Sequence, residues 1–246
     1  MKRRDFLFTT VLTPVFAKKL LANETDVYLS NEEWKNLVSL NLRLKRLRRF
    51  VGYANFNIIS YTSALYYARN YSKIGDFTKN ELLLMDKLFH ENPNKYGFFG
   101  IKTCMHIENE VLSKDVSKIP YTGHYLFKGQ PESDYKNLLS DVGPTLVLTS
   151  GVRNVIKQLS LYINKIYYLH GNVTEASNSI APPAYSYHTI SDFDVGIKGW
   201  GYKNFTADFA TTDEFYKMRT LDYISMRYDE NNNDGVRFEP WHVEVL

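Results

Sequence analysis

The sequence predicts an α+β fold, with a helical N-terminal region and a small antiparallel sheet flanked by helices in the C-terminal part. Three observations carry this reading. Capped segments of 3.6-residue apolar period fill the first half of the chain, short β-rich runs separated by turn residues follow Pro120, and a strong turn signal near the C-terminus divides two segments able to pair.

Taken in order, Ser30 and Glu33 form a capping box, and Leu40, Leu44, Leu47 and Val51 recur on one face of the helix it opens. Arg43, Lys45, Arg46, Arg48 and Arg49 lie between them and read as a solvated face rather than a contact for anionic glycan or lipid headgroups. Thr78 with Glu81 caps a second apolar run through Leu82, Met85, Leu88 and Phe89, which Asn92-Pro93 ends. Residues 26–115 therefore form the expected helical region, and residues 116–246 the remainder. Pro144 introduces Thr145-Leu146-Val147-Leu148-Thr149, a buried strand by composition. The spacing of Val155, Ile156, Leu159, Ile163 and Tyr167 predicts a helix from near Arg153 that ends before Gly171. Asn172 to Ala184 reads as a loop, Phe193 to Ile197 as a strand, and Thr211 with Glu214 as the capping box of a last helix. Asn231-Asn232-Asn233-Asp234-Gly235 turns the chain between Tyr223–Tyr228 and Val236–Val245, a candidate hairpin.

Composition narrows the function. At 246 residues the chain has room for a sizeable core, and no stretch approaches the ~20 apolar residues of a membrane span. The formal net charge of +3 is outweighed by Lys2, Arg3, Arg4, Lys18 and Lys19 against Asp5 in the first 22 residues, so the rest is slightly acidic and has no basic footprint for nucleic acid. That N-terminus, a charged start before a short apolar run, reads as a secretory signal over residues 1–22. Arg3-Arg4-Asp5-Phe6-Leu7 resembles the twin-arginine signal of bacterial export, which makes the expected destination periplasmic or otherwise outside the cytoplasm. A single cysteine, Cys104, excludes an internal disulfide and a multi-thiolate metal site, leaving His and carboxylates as possible ligands.

Two clusters combine such residues: Ser186-Tyr187-His188-Thr189-Ile190-Ser191-Asp192-Phe193-Asp194 and Glu239-Pro240-Trp241-His242. A mononuclear catalytic zinc takes three protein ligands and keeps a fourth position for water. His188, one of the two aspartates and His242 would supply the three, with Glu239 close in sequence as a proton acceptor.

Four blocks in these regions resemble the zinc D-alanyl-D-alanine carboxypeptidase family of VanY and VanX type. They are Ser150-Gly151-Val152-Arg153 with Gln158 after it, Pro183-Ala184-Tyr185-Ser186-Tyr187-His188, Asp192-Phe193-Asp194-Val195-Gly196, and Glu239-Pro240-Trp241-His242. The resemblance covers about 100 residues from Thr145 onward. It implies that His188, Asp194 and His242 bind Zn2+, that Glu239 is the general base, that Arg153 stabilises the oxyanion, and that Ser186 and Gln158 contact substrate. Asp192 competes with Asp194, because the family's His-to-Asp spacing is one residue longer than here. Strand alternation puts both carboxylates on one face, and the following Val-Gly favours Asp194. For Arg153 the plainer role is a salt bridge at a helix start. The implied activity is removal of the terminal D-alanine from a peptidoglycan muropeptide. The alternatives are an endopeptidase on the same fold and a non-catalytic wall-binding module.

Overall fold

A computed structural model describes residues 25–246; the export signal read at residues 1–22 lies outside them. Ser30 opens α1 (Asn31–Val51) through the expected capping box, its Oγ accepting from Glu33 N while the Glu33 carboxylate accepts from Ser30 N. Leu40, Leu44 and Leu47 are fully buried. The basic run does not stay in solvent throughout. Arg43 is buried, donating to both carboxylate oxygens of Glu81 at 2.8 and 3.2 Å. Ser39 and the Thr78 backbone donate to the same carboxylate, so the buried charges are fully satisfied. Glu81 thus has two uses, as the capping-box acid of α3 (Lys79–His90) and as the tie that binds α3 to α1. Between them lies α2 (Tyr61–Asn70), capped by Ser60.

A hairpin that the sequence reading did not assign follows: β1 (Val116–Ile119) pairs antiparallel with β2 (His124–Phe127). The helix α4 (Gln130–Asp141), also unassigned, starts with Pro131 in its first turn. The main sheet has order β3-β4-β6-β5 and is antiparallel throughout. Its strands β3 (Leu146–Ser150) and β4 (Phe193–Ile197) coincide with the two β-rich runs. The expected C-terminal pairing forms as β5 (Ile224–Met226) against β6 (His242–Val245), shorter than anticipated because Arg227 to Trp241 leave the sheet as a long loop.

Asn154 caps α5 (Val155–Tyr168), whose apolar face is buried as its period predicts. The stretch read as a loop after Gly171 contains a short helix, α6 (Val173–Ser177), because the Asn172 side chain accepts from Glu175 N and caps it. The last helix, α7 (Asp213–Met218), begins one residue later than expected. Thr212 is its cap, accepting from Phe215 N. Thr211 turns back to the Asp208 carbonyl, and Glu214 accepts instead from the Thr145 hydroxyl at 2.7 Å.

Two apolar clusters hold these elements. One is built from α1, α2, α3, α5 and α6, so the N-terminal helices share a core with α5. The other packs the main sheet against α4, α7 and Phe209. No helix among the described residues is long and apolar enough to cross a membrane.

Candidate metal centre

The main sheet places the site through its register. Ser150 on β3 lies opposite Asp194 on β4, and Asp194 lies opposite His242 on β6, so three polar residues form one row across neighbouring strands. His188 enters from a 3-10 turn, Tyr187–Thr189, that precedes β4. Its Nδ1 lies 3.0 Å from the Gly151 carbonyl, and its own carbonyl accepts from Arg153 N at 3.1 Å. The turn and the Ser150-to-Arg153 segment therefore hold each other. Gly151 is required there: a Cβ would lie 2.0 Å from the Tyr125 carbonyl of β2.

His188, Asp194 and His242 are buried, and one potential ligand atom from each lies within 4.8 Å of the others. Asp194 Oδ1 is 3.3 Å from His188 Nε2 and 3.1 Å from His242 Nδ1. Donors ~2.0–2.1 Å from one ion at tetrahedral angles stand about 3.4 Å apart, so these separations fit a shared cation. His188 Nε2 and Asp194 Oδ1 are also buried without a hydrogen-bond partner. An orphaned nitrogen and an orphaned carboxylate oxygen side by side are costly unless something binds both. The two-imidazole, one-carboxylate donor set with these orphans fits a divalent metal ion.

The surroundings complete that assignment. Asp194 Oδ2 accepts from Arg153 Nη2 at 2.5 Å, which leaves Oδ1 for the ion. Burial works against the Asp194 charge, yet His188 and Arg153 beside it hold the carboxyl well below the usual carboxylate range. Burial, together with Arg153, pulls the His188 imidazole down to about 4, toward the neutral form a ligand needs. Burial also opposes protonation of His242, but Asp192 and Asp194 outweigh it and raise the ring to about 9. A cation at Nδ1 must therefore displace a proton.

Asp192, the rival ligand in the sequence, stands behind the site. Its Oδ2 is 3.0 Å from His242 Nε2, on the opposite edge of the ring from Asp194, so Asp192 is placed to orient the imidazole while Asp194 stands on the side shared with His188. Arg227 pairs with Asp192 through Nε and Nη2, reaches Glu244 at 2.9 Å, and lies 3.6 Å over the Tyr187 ring next to His188. Asp192 lies one residue before β4, so strand alternation does not set its direction; the two carboxylates meet opposite edges of the His242 ring.

A cavity of about 250 Å³ opens beside the donors, and Arg153, His188, Asp194 and Glu239 all line it. Glu239 is 8% exposed; burial pushes its carboxyl up to about 7 against the pull of His242, and Arg237 Nε donates to it at 3.4 Å. Arg153 forms the salt bridge of the plainer reading and also faces the cavity. Its contacts to Asp194 and Ser150 use Nη2 and Nε, which leaves Nη1. Ser186 and Gln158 are not brought to the cavity wall. Gln158 is fully buried in α5 with Nε2 on the Ala181 carbonyl at 2.7 Å, and the buried Ser186 offers its carbonyl to the Thr103 hydroxyl. Tyr53, His124 and Lys157 line the cavity without having been singled out in the sequence. Tyr53 and His124 come from segments with no motif, and Lys157 falls within an apolar helical period.

Residues 133–245 match the family model of VanY, described as D-alanyl-D-alanine carboxypeptidase. No curated protein matches the chain. Among solved structures, VanYB in complex with D-alanine-D-alanine is 20% identical, with a TM-score of 0.42 over 53% of this chain and 76% of that one. A mutant of the vancomycin resistance D,D-pentapeptidase VanY from a VanB-type resistance cassette, in complex with Zn(II), is 18% identical, with a TM-score of 0.42 over 59% and 86%. The vancomycin resistance D,D-dipeptidase VanXYg, bound to a D-Ala-D-Ala phosphinate analogue, is 17% identical, with a TM-score of 0.44 over 52% and 53%.

Proposed function

We propose, from the match of residues 133–245 to the VanY family model described as D-alanyl-D-alanine carboxypeptidase, that the chain is a zinc-dependent D,D-carboxypeptidase removing the terminal D-alanine of peptidoglycan stem peptides. The observation that carries this reading is the convergence of three buried donors, two of which are orphaned and line a cavity that also holds Glu239.

His188 Nε2, Asp194 Oδ1 and His242 Nδ1 would hold the ion. When bound, Zn2+ polarises the scissile carbonyl and lowers the pKa of water from 15.7 toward about 7. Glu239 accepts the proton of the attacking water and returns it to the leaving amine. A carboxyl near 7 is suited to both transfers at neutral pH. Arg153, anchored to Asp194 and Ser150, turns its remaining Nη1 toward the oxygen on which charge develops. Asp192 and Arg227 keep the His242 ring in place. The twin-arginine-like start would deliver the protein to where stem peptides are found.

Metal-loaded protein incubated with a pentapeptide stem is expected to release one D-alanine, as measured by mass spectrometry, and a chelator is expected to stop the release. Cleaved cross-links with no free D-alanine would instead mark an endopeptidase. Zinc-free purified protein that takes up no metal would mark a binding module.

A further inference from the structure

Among the described residues, Lys157 has no anionic partner. It is the third residue of α5, at the helix end whose dipole repels a cation. It is 5% exposed, and no carboxylate of the described residues pairs with it. Its ammonium stands 5.2 Å over the ring of Tyr53, and both side chains line the cavity that holds Arg153, Asp194 and Glu239. Burial, and after it the like charges of Arg153 and Arg48, draw its pKa down to about 7. Three cationic side chains, Arg153, Lys157 and Arg237, face two carboxylates across this cavity, and a bound dication adds to the excess. Such a wall lacks an anion.

We propose that Lys157, with the Tyr53 ring as its floor, is the subsite for the free C-terminal carboxylate of the substrate and so restricts the enzyme to cutting at a chain end. The inference rests on the peptidase reading above and adds a specificity residue to it. The helical N-terminal region gains a role with it, because Tyr53 belongs to that region and walls the cavity. An ion pair formed inside a largely desolvated cavity is stronger than one at the surface, and the carboxylate would keep the ammonium charged.

The test uses the full chain loaded with Zn2+ and an N-acetylated peptide ending in D-alanyl-D-alanine, as the free acid and as the C-terminal amide. Wild-type protein should prefer the acid. Lys157→Met should raise KM for the acid about 10- to 100-fold, change kcat little, and abolish the preference. Lys157→Arg should restore part of it. Calorimetry of D-alanyl-D-alanine on Zn2+-loaded Glu239→Gln, with and without Lys157→Met, should show the same loss without turnover. If Lys157→Met does not fold, Lys157→Gln takes its place. Retention of the acid preference in the folded variants overturns the proposal. Equal cleavage of acid and amide by wild type removes the subsite and leaves the peptidase. Acid-selective binding without hydrolysis keeps the subsite and removes the peptidase, and absence of both removes both.

Discussion

On the proposed mechanism, turnover depends on Glu239 and metal binding does not. Glu239→Gln keeps the shape of the side chain and removes the proton acceptor, so kcat should fall about 10²- to 10⁴-fold while bound zinc, counted by atomic absorption, stays unchanged. Lys157 sets a pH dependence of a different kind. Its pKa is depressed to about 7, so the free protein loses the ammonium as pH rises through that value, and affinity for a carboxylate falls with it. The groups facing it do not compensate. His124 is held near 4 by burial and is neutral, Tyr53 offers only its ring face, and Glu239, pushed up to about 7 by burial on the same cavity, gains negative charge over the same range. KM for the free-acid peptide should therefore rise above about pH 7 in the wild type, and Lys157→Met should show a shallower rise, the part set by Glu239 alone, in the same titration.

Strands and turns convert these residues into a site. The row from Ser150 through Asp194 to His242 exists because β3, β4 and β6 are in register, and His188 joins it only because its turn is fastened to Gly151 and Arg153. Gly151→Ala would drive a methyl into the Tyr125 carbonyl, displacing β2 from the loop that carries His188's partner. Loss of both thermal stability and bound zinc is expected, read by calorimetry and metal analysis of the same sample. Arg227 works at the opposite edge. Truncation to Met frees Asp192 from its ion pair and Tyr187 from the guanidinium above it, so the His242 ring is less constrained. Zinc affinity should drop about 10- to 100-fold, measured by competition with a chelating dye, with the fold preserved by circular dichroism.

At the scale of the molecule, the N-terminal helices and the site are mechanically one unit. Asn154, the cap of α5, donates its backbone N–H to the Asn57 carbonyl and its side-chain amide to the Ile59 carbonyl. Thr103 and Cys104 hold the Ala184 carbonyl in the segment leading to His188. Leu44 is fully buried in the cluster that joins α1 to α5. Leu44→Ala should cost about 2–5 kcal/mol, and chemical denaturation should remain a single transition in which tryptophan fluorescence and zinc release move together. Two separate transitions would mean that the helical region folds independently of the site.

Local order was legible where it depends on near neighbours. The capping boxes at Ser30 and Thr78 and the helix after Arg153 rest on contacts within a few residues, the two β-rich runs announce themselves by local composition, and all appear where the linear pattern puts them. The short helix after Asn172 and the cap at Thr212 were missed or shifted because one hydroxyl or amide selects among adjacent alternatives. The motifs named His188, Asp192, Asp194, Glu239 and His242, but they left the two aspartates competing. Only the folded sheet separates them, because the ring of His242 has two nitrogens on opposite edges and the strand pairing decides which carboxylate meets each. Tyr53, Lys157 and Arg227 had no motif to announce them. The contacts that set them at the site, Tyr53 with Lys157 and Arg227 with Asp192, are made across more than 30 residues of chain, and a side chain's partner at that distance is chosen by packing, which no local spacing encodes.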